Sequence, residues 1–382
     1  MNAMAHLIIL VSVLAICLVG CCTSRHCTAP SATETKYSFE PQRSEDRQHL
    51  QDALRFRPGA PPEHADVLVL SGGGSHGAWG AGLLRGWRDN ANSPRPKFRV
   101  VTGVSTGALL ATYAFLGEDA DDATLERAYT TIQTKDVYRS KFLLFALFSD
   151  SLKSASPLAR TIAKYIDTNT LSRVAEAGQA GRRLYVGTAN LDTGRLVVWD
   201  LTRIAADESN ANRLELYRKV VLASASIPIA VSPVEIDGNL YSDGGVRAQL
   251  FFDKHFIPSI RQLVKESRSA APQLMIHVIV NGQLGVPTNC VCDCLTDLSF
   301  KKGIIPRTLD MLLDANANGD LYRVDDLCQS IKAGRRMCWI PADYQNLYSS
   351  DEFVPEEMKR LYETGETFGR TNDKWFDSIP AP

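Results

Sequence analysis

The stretch "DVLVLSGGGSHGAWGAG", residues 66–82, joins a short apolar run to a segment with the composition of a helix. Glycine has no Cβ and adopts backbone conformations that other residues avoid. Glycines between a strand and a helix therefore predict a tight loop whose N–H groups converge on one point and bind an anion. That anion could be a dinucleotide phosphate, because Gly72, Gly74 and Gly77 match G-x-G-x-x-G, or the oxyanion of an acyl-transfer reaction.

On either side of this stretch, strand-like apolar runs alternate with helix-compatible segments. The predicted strands are 66–71, 98–103, 182–191, 195–201 and 273–280, and the main predicted helices are 75–89, 106–117, 123–134, 211–224 and 251–267. Nearly continuous apolar runs rich in β-branched residues are typical of strands buried on both faces. The alternation predicts an α/β protein with a mostly parallel sheet that helices cover on both sides.

The length and charge of the chain exclude some classes of partner. Its 382 residues suffice for one large or two ordinary domains, and we find no internal linker. The formal net charge of −1 gives no electrostatic footprint for nucleic acid. We therefore expect no nucleic-acid partner.

The N-terminus carries an export signal. Its apolar run, residues 7–20, is shorter than the roughly 20 residues of a spanning helix and is typical of a signal peptide. Leu18-Val19-Gly20-Cys21 resembles the lipobox of bacterial lipoproteins, although no Lys or Arg precedes the apolar run. This predicts a signal peptide over 1–20, acylation of Cys21 and a lipid anchor in the bacterial cell envelope. A plain signal peptide that ends in cysteine is the alternative.

Two segments flank the predicted folded body. Residues 21–62 are polar and predict a tether between the anchor and that body. Residues 286–382 predict a helical, cysteine-containing extension packed on the same domain. In an exported protein, disulfides between "CVCDC" (290–294) and Cys328 and Cys338 are favoured over a metal site.

A candidate nucleophile follows the second predicted strand. "GVSTG", residues 103–107, fits the pattern G-x-S-x-G at the point where a buried strand turns into a helix. That setting forces a serine outward as a nucleophile elbow, and the helix N-terminus favours a developing negative charge. An ordinary helix cap is the alternative. A nucleotide-binding site does not need a nucleophilic serine. The position of Ser105 therefore indicates that the glycine loop binds the oxyanion of an acyl-transfer reaction.

The residues alone leave the general base open. His255 lies on a predicted helix, and His277 lies in an apolar run typical of a core position. Asp243, in "YSDGGV" (241–246), ends a short predicted strand, but Asp-Gly is also common in turns.

The glycine loop, "GVSTGAL" and "DGG", in this order, resemble the patatin-like phospholipase family. The resemblance implies a three-layer α/β/α sandwich over residues 63–285, with Ser105 as nucleophile and Asp243 as base of a Ser–Asp dyad. It also implies an oxyanion hole at Gly72, Gly73 and Gly74. Supporting motif glycines are Gly77, Gly103, Gly107, Gly244 and Gly245. His76 departs from the family, which often has Arg or Lys in this loop.

We therefore expect a serine acyl-ester hydrolase that releases fatty acids from lipids through an acyl-enzyme, without metal or cofactor. Its expected partners are a lipid or phospholipid ester and the membrane that holds its anchor. Two alternatives remain: a Ser-Asp-His esterase with His255 or His277 as base, and a non-catalytic, lipid-anchored binding protein. The segment "KFLLFALFSD" (141–150) is either a lipid-entry element or a buried helix.

Overall fold

We describe the fold from a computed structural model. It describes residues 29–54, 65–137, 157–228, 231–252, 256, 260, 274–284, 304–371 and 375–379. The predicted signal peptide with Cys21, residues 141–150, His255 and the cysteines of 290–294 lie outside these residues, as does nearly all of the predicted helix 251–267.

Eight strands form a single sheet. They are β1 (Ala65–Leu70), β2 (Val100–Val104), β3 (Arg183–Asn190), β4 (Arg195–Asp200), β5 (Val234–Ile236), β6 (Asn239–Asp243), β7 (Leu274–Val280) and β8 (Gly334–Trp339). The order is β5-β6-β3-β2-β1-β7-β8, with β4 also paired to β3. The five strands β3-β2-β1-β7-β8 run parallel, and β4, β5 and β6 add antiparallel pairs at one side.

The described helices are α1 (Ala32–Tyr37), α2 (Ser44–Leu54), α3 (Gly77–Arg88), α4 (Thr106–Leu116), α5 (Asp119–Thr131), α6 (Thr134–Val137), α7 (Pro157–Tyr165), α8 (Thr168–Gln179), α9 (Leu201–Ala206), α10 (Arg213–Ser224), α11 (Ile304–Ile331) and α12 (Pro355–Thr371). One apolar cluster packs α3, α4, α8, α10 and α12 on one sheet face, and another packs α2 and α11 on the other. Alternate residues of β1 enter opposite clusters, Leu68 the first and Val69 the second. The three-layer α/β/α sandwich with a mostly parallel sheet is confirmed.

The prediction of a polar tether is wrong for residues 31–54. These residues form α1 and α2, which pack on the body of the protein. Glu34 is buried and accepts hydrogen bonds from Asn190 Nδ2 at 2.7 Å and from the Tyr241 hydroxyl at 2.5 Å. Leu50 is fully buried beneath the sheet. Polar composition misled the prediction because these polar side chains have partners that lie far away in sequence.

The C-terminal segment is more than a helical extension. Its strand β8 pairs with β7 and completes the parallel part of the sheet. Its last helix, α12, packs on α3 so closely that a Cβ on Gly82 or Gly86 would lie 1.9 Å from the carbonyl oxygens of Tyr362 and Glu366. The later glycines of the opening stretch therefore serve helix packing, while the earlier ones shape the loop.

The predicted disulfides do not involve Cys328 and Cys338, which are free thiols with fully buried side chains. Burial raises the pKa of the Cys328 thiol to about 12 and that of the Cys338 thiol well above its usual range. The disulfide prediction is therefore wrong for Cys328 and Cys338, whose side chains are buried in the apolar core.

We expect both thiols to resist alkylation in the native protein, because a thiol reacts as its thiolate and burial excludes the reagent. Peptide mass spectrometry after iodoacetamide treatment should find Cys328 and Cys338 unmodified without denaturant and modified in guanidinium chloride. Modification of either thiol in the folded protein would contradict this burial.

Within the part of the chain described above, no helix combines the length and the apolar character that crossing a membrane requires.

Candidate active site

Ser105 lies at a strained turn between β2 and α4. Its φ of 55° and ψ of −125° are unusual for a residue with a side chain. The turn is tight, since a Cβ on Gly103 would lie 2.3 Å from the Gly107 carbonyl oxygen. Ser105 makes no side-chain cap on α4, so the helix-cap alternative does not describe its hydroxyl. This geometry is that of a nucleophile elbow.

The elbow is held by a serine that the sequence analysis missed. The backbone N–H of Ser105 donates to Ser224 Oγ at 3.0 Å, and the Ser224 hydroxyl donates to the Gly187 carbonyl oxygen at 2.7 Å. Ser224 ends α10, and its side chain is fully buried. The strained backbone of Ser105 is therefore fixed by a hydrogen bond that it donates to a helix far away in sequence.

Strand β3 brings Asp243 to Ser105. One edge of β3 pairs with β4, so β2 and β6 share the other edge. Along that edge Gly187 is level with Val104 and Thr188 is level with Asp243. The end of β6 thus meets the end of β2 where the chain turns away at Ser105. The close approach needs Gly244, because a Cβ there would lie 2.5 Å from the Gly187 carbonyl oxygen.

The two side chains lie next to each other in a buried setting. The Ser105 hydroxyl interacts with the Asp243 carboxyl and lowers its pKa, and the Gly245 N–H donates to Asp243 Oδ1 at 2.7 Å. Only 5% of Ser105 and 4% of Asp243 are exposed. Burial raises the pKa of Asp243 to about 6, and the interactions with Ser105 and Gly245 oppose that rise. Asp243 is therefore ionised at neutral pH but is a stronger base than an exposed aspartate.

This environment predicts the pH dependence of any reaction in which Asp243 accepts a proton. Activity needs the ionised carboxylate, so kcat/KM should rise with pH and level off above an apparent pKa of about 6. An exposed aspartate would place that rise near its ordinary pKa of about 3.9. A pH profile of ester hydrolysis checks this, and an acid limb near pH 4 would show that burial does not tune the group.

The glycine loop lies against the nucleophile. The position that a Cβ on Gly72 would occupy is 3.2 Å from Ser105 Cβ. Gly73, with φ of 148°, and Gly74, with φ of 55°, turn the chain into a short 3-10 turn. The N–H groups of Gly72 and Gly73 have no hydrogen-bond acceptor among the described residues. They are the amides that this loop could offer to a negative charge at Ser105.

Two contacts hold the glycine loop in place. Asn281, directly after β7, donates from its backbone N–H to Ser71 Oγ and from Nδ2 to the Ser71 carbonyl oxygen, both at 2.8 Å. Beyond the loop, the Ser75 N–H donates to the Ser350 carbonyl oxygen at 2.8 Å. The C-terminal segment thus contributes directly to the shape of the site.

Asn281, Ser224 and Ser350 were not predicted from the sequence. A signal existed for Asn281, because polar residues directly after parallel strands share one edge of the sheet and Ser71 and Ser105 are placed in the same way. No local pattern distinguishes the other two. Ser224 is an ordinary helix end, and Ser350 acts through its backbone.

The structure does not bring the predicted histidines to Ser105. His277 is buried in β7, where its Nε2 lies 2.8 Å from Asp66 Oδ1. In the sheet register His277 is level with Val101 of β2, which is four residues before Ser105. His277 therefore lies about 13 Å from Ser105 along the strand direction. His76 is half-buried in the 3-10 turn, and burial lowers its pKa to about 4, so it carries no charge at neutral pH.

The fold and this geometry define an α/β protein with a nucleophile elbow beside a glycine loop. Residues 68–253 match the model of the family described as patatin-like phospholipase. The resemblance to this family is therefore confirmed over these residues. Within the described part of the chain, no group of three or more His, Cys, Asp or Glu residues could hold a metal ion.

The curated relative "Uncharacterized protein R571" of Acanthamoeba polyphaga mimivirus is 31% identical over 180 residues, which are 47% of this chain and 57% of that protein. The match thus spans little more than half of the relative's length. Among solved structures, VipD from Legionella pneumophila aligns with a TM-score of 0.37 at 11% identity, over 83% of this chain and 68% of that one. Human GIVD cytosolic phospholipase A2, solved with methyl gamma-linolenyl fluorophosphonate, aligns with a TM-score of 0.35 at 12% identity, over 85% and 60%.

Proposed function

We propose that this protein hydrolyses carboxylic ester bonds of lipids through an acyl-enzyme on Ser105, with Asp243 as the general base. The observation that carries the proposal is the placement of the buried Ser105 hydroxyl next to Asp243, at the shared edge of β3 and beside the unengaged amides of the glycine loop. The match of residues 68–253 to the patatin-like phospholipase family supports a lipid as the substrate.

Both halves of the reaction use the same three groups. Ser105 Oγ forms a bond to the ester carbonyl carbon while its proton passes to Asp243, and the carbonyl oxygen gains the negative charge. The loop amides bind this oxyanion. The bond to the alcohol oxygen then breaks, and Asp243 returns its proton to that oxygen. In the second half Asp243 accepts a proton from water, whose oxygen attacks the acyl carbon, and the proton returns to Ser105 as the fatty acid leaves.

A carboxylate suits this role only because it is buried. An exposed aspartate is a weak base toward an alcohol, so proton transfer must be coupled to attack. Burial raises the pKa of Asp243 to about 6 and brings it nearer to the working pH. Burial also leaves little water to compete for the serine hydroxyl.

The Ser-Asp-His alternative has less support. His277 is held by Asp66 on another part of the sheet, and His255 lies outside the described residues. We expect His255→Gln and His277→Gln to keep the mechanism. A well-folded His255→Gln protein without turnover would make His255 the base and remove the dyad proposal.

We also propose that the protein is anchored in the bacterial cell envelope through acylated Cys21. The support is the sequence of residues 18–21 alone. One acyl chain binds a membrane only weakly, whereas several chains hold a protein stably. Mass spectrometry of the mature N-terminal peptide tests this: diacylglyceryl or triacyl modification of Cys21 is expected, and an unmodified N-terminus would contradict it.

The decisive experiment uses a long-chain fluorophosphonate, which traps an activated serine. Intact-mass and peptide mass spectrometry should find one adduct, on Ser105, and none in the Ser105→Ala protein. In parallel, released fatty acids are measured by mass spectrometry from a panel of phospholipids and neutral lipid esters, with Ser105→Ala as control. No adduct and no release would leave the non-catalytic binding protein as the function.

A further inference from the structure

Gln249 is a buried amide that neither the family motifs nor the proposed dyad uses. Only 6% of the residue is exposed. Among the residues that the structure describes, its Oε1 has no hydrogen-bond partner. A buried amide oxygen without a partner costs about 1–3 kcal/mol, so a position that retains one indicates that the amide group borders a site where a ligand binds.

The side chain of Gln249 lies between the glycine loop, the nucleophile and the base. The point that a Cβ on Gly72 would occupy is 2.3 Å from Gln249 Oε1 and 3.2 Å from Ser105 Cβ. The point that a Cβ on Gly245 would occupy is 2.6 Å from Gln249 Nε2 and 3.0 Å from Asp243 Oδ1. The amide therefore borders the space in which the ester must lie, with its N–H₂ group on the side of Asp243.

The backbone of Gln249 is fixed by a helix outside the family match. Asp320, buried on α11, accepts the Gln249 N–H at 2.6 Å and the Leu250 N–H at 3.1 Å through Oδ2. One turn earlier, Asn316 Nδ2 donates to the Gly245 carbonyl oxygen at 3.2 Å. These contacts hold both ends of the segment from Gly245 to Leu250, so the amide has a defined direction.

We propose that Gln249 is a further catalytic residue, whose Nε2 donates a hydrogen bond to the ester oxygen that leaves with the alcohol. This inference rests on the proposed function. Asp243 gives its proton to that same oxygen, so the oxygen must lie on the Asp243 side of the site, where Nε2 is. Negative charge grows on the leaving oxygen as its bond to carbon breaks, and a donor placed there stabilises that charge until the proton arrives.

The test is the replacement Gln249→Met, which keeps the length of the side chain and removes the donor. Two esters of the same fatty acid are compared by kcat/KM, one with an alkyl alcohol and one with p-nitrophenol. The alkyl alcohol needs help to leave and p-nitrophenolate does not. We expect a loss of about 10- to 100-fold on the alkyl ester and less than about threefold on the aryl ester.

Three controls separate this role from others. Gln51→Met makes the same change at a buried glutamine of α2. This helix contacts Arg99 directly before β2, at the end of the strand opposite Ser105, so the ratio of the two esters should stay unchanged. Thermal unfolding reports whether either variant is destabilised. Fluorophosphonate labelling of Ser105 expels fluoride and needs no proton for the leaving group, so Gln249→Met should label at close to the wild-type rate.

The outcomes distinguish this inference from the proposed function. Equal losses of kcat/KM on both esters, or no loss on either, would overturn the role of Gln249. If the wild-type protein is labelled and active at the same time, the proposed Ser105–Asp243 dyad stands. A wild-type protein that neither labels nor hydrolyses would remove the proposed function itself. Slow labelling of Gln249→Met together with equal losses on both esters would mean that the amide stabilises the oxyanion and not the leaving oxygen. That result would also overturn the inference.

Discussion

Asp243→Asn should abolish ester hydrolysis and at the same time make the folded protein more stable. An asparagine cannot accept the proton of Ser105, so the loss of kcat should reach about 10⁴-fold, the loss seen when an acyl-transfer enzyme loses a residue acting with its nucleophile. The amide oxygen can still accept the Gly245 N–H, so the loop after β6 should keep its shape.

The gain in stability follows from the raised pKa of Asp243. The folded protein holds the Asp243 proton up to about pH 6, whereas the unfolded chain loses it near its ordinary pKa of 3.8. Ionisation therefore costs the folded state stability as pH rises through this window. The cost is complete above the folded pKa and amounts to roughly 3 kcal/mol. Asparagine is neutral at every pH, so the Asp243→Asn protein does not carry this cost of ionisation.

Denaturant unfolding at two pH values measures this effect. At about pH 8 the free energy of unfolding of Asp243→Asn should exceed that of the wild type by roughly 3 kcal/mol, and below about pH 4 the two should be close. Ser105→Ala serves as a second inactive variant that keeps the carboxylate. An Asp243→Asn protein that is inactive and also less stable at pH 8 would mean that the carboxylate is needed for the fold.

Gly73→Ala should reduce turnover by at least about 10²–10³-fold, the loss expected when an oxyanion donor is displaced. The φ of Gly73 is 148°, a conformation that alanine rarely adopts, and the new Cβ would lie 1.9 Å from the Asn281 carbonyl oxygen. Asn281 also holds Ser71, so no neighbour can move away without disturbing the loop. Relief of the clash must turn the loop amides away from Ser105.

Gly194→Ala is the matched control. Gly194 also has a positive φ, of 67°, but a Cβ there would meet nothing within 4 Å. It lies in the turn between β3 and β4, away from the site, and should cost about 1–2 kcal/mol of stability with kcat within twofold of the wild type. Circular dichroism and the lipid-ester assay compare the two variants. Full activity of a folded Gly73→Ala protein would exclude the loop as the source of oxyanion donors.

Most of the sheet was predictable because its signals are local. Apolar β-branched runs specify strands over short windows, and β1, β2, β3, β4 and β7 begin and end within about two residues of their predicted bounds. The helices after β1 and β2 were predicted for the same reason. The short strands β5 and β6 and the partners of residues 31–54 depend on contacts far away in sequence, so composition misjudged the N-terminal segment.

The candidate site was predictable in its parts but not in its assembly. Ser105, Asp243 and Gly72–Gly74 each fit a weak pattern, and only their order and family resemblance joined them. Gln249 and Asp320 carry no motif of their own. Their place beside the dyad depends on α11, which is more than fifty residues along the chain from Gln249.

The sequence by itself determined the layered α/β architecture and the tight serine turn, because periodicity and glycine placement act over a few residues. The tertiary structure decided which groups meet. The shared edge of β3 joins Asp243 to Ser105, burial raises the pKa of Asp243, and C-terminal elements hold the glycine loop and Gln249. Burial and long-range hydrogen bonds are properties of the packed chain, and no local pattern encodes them.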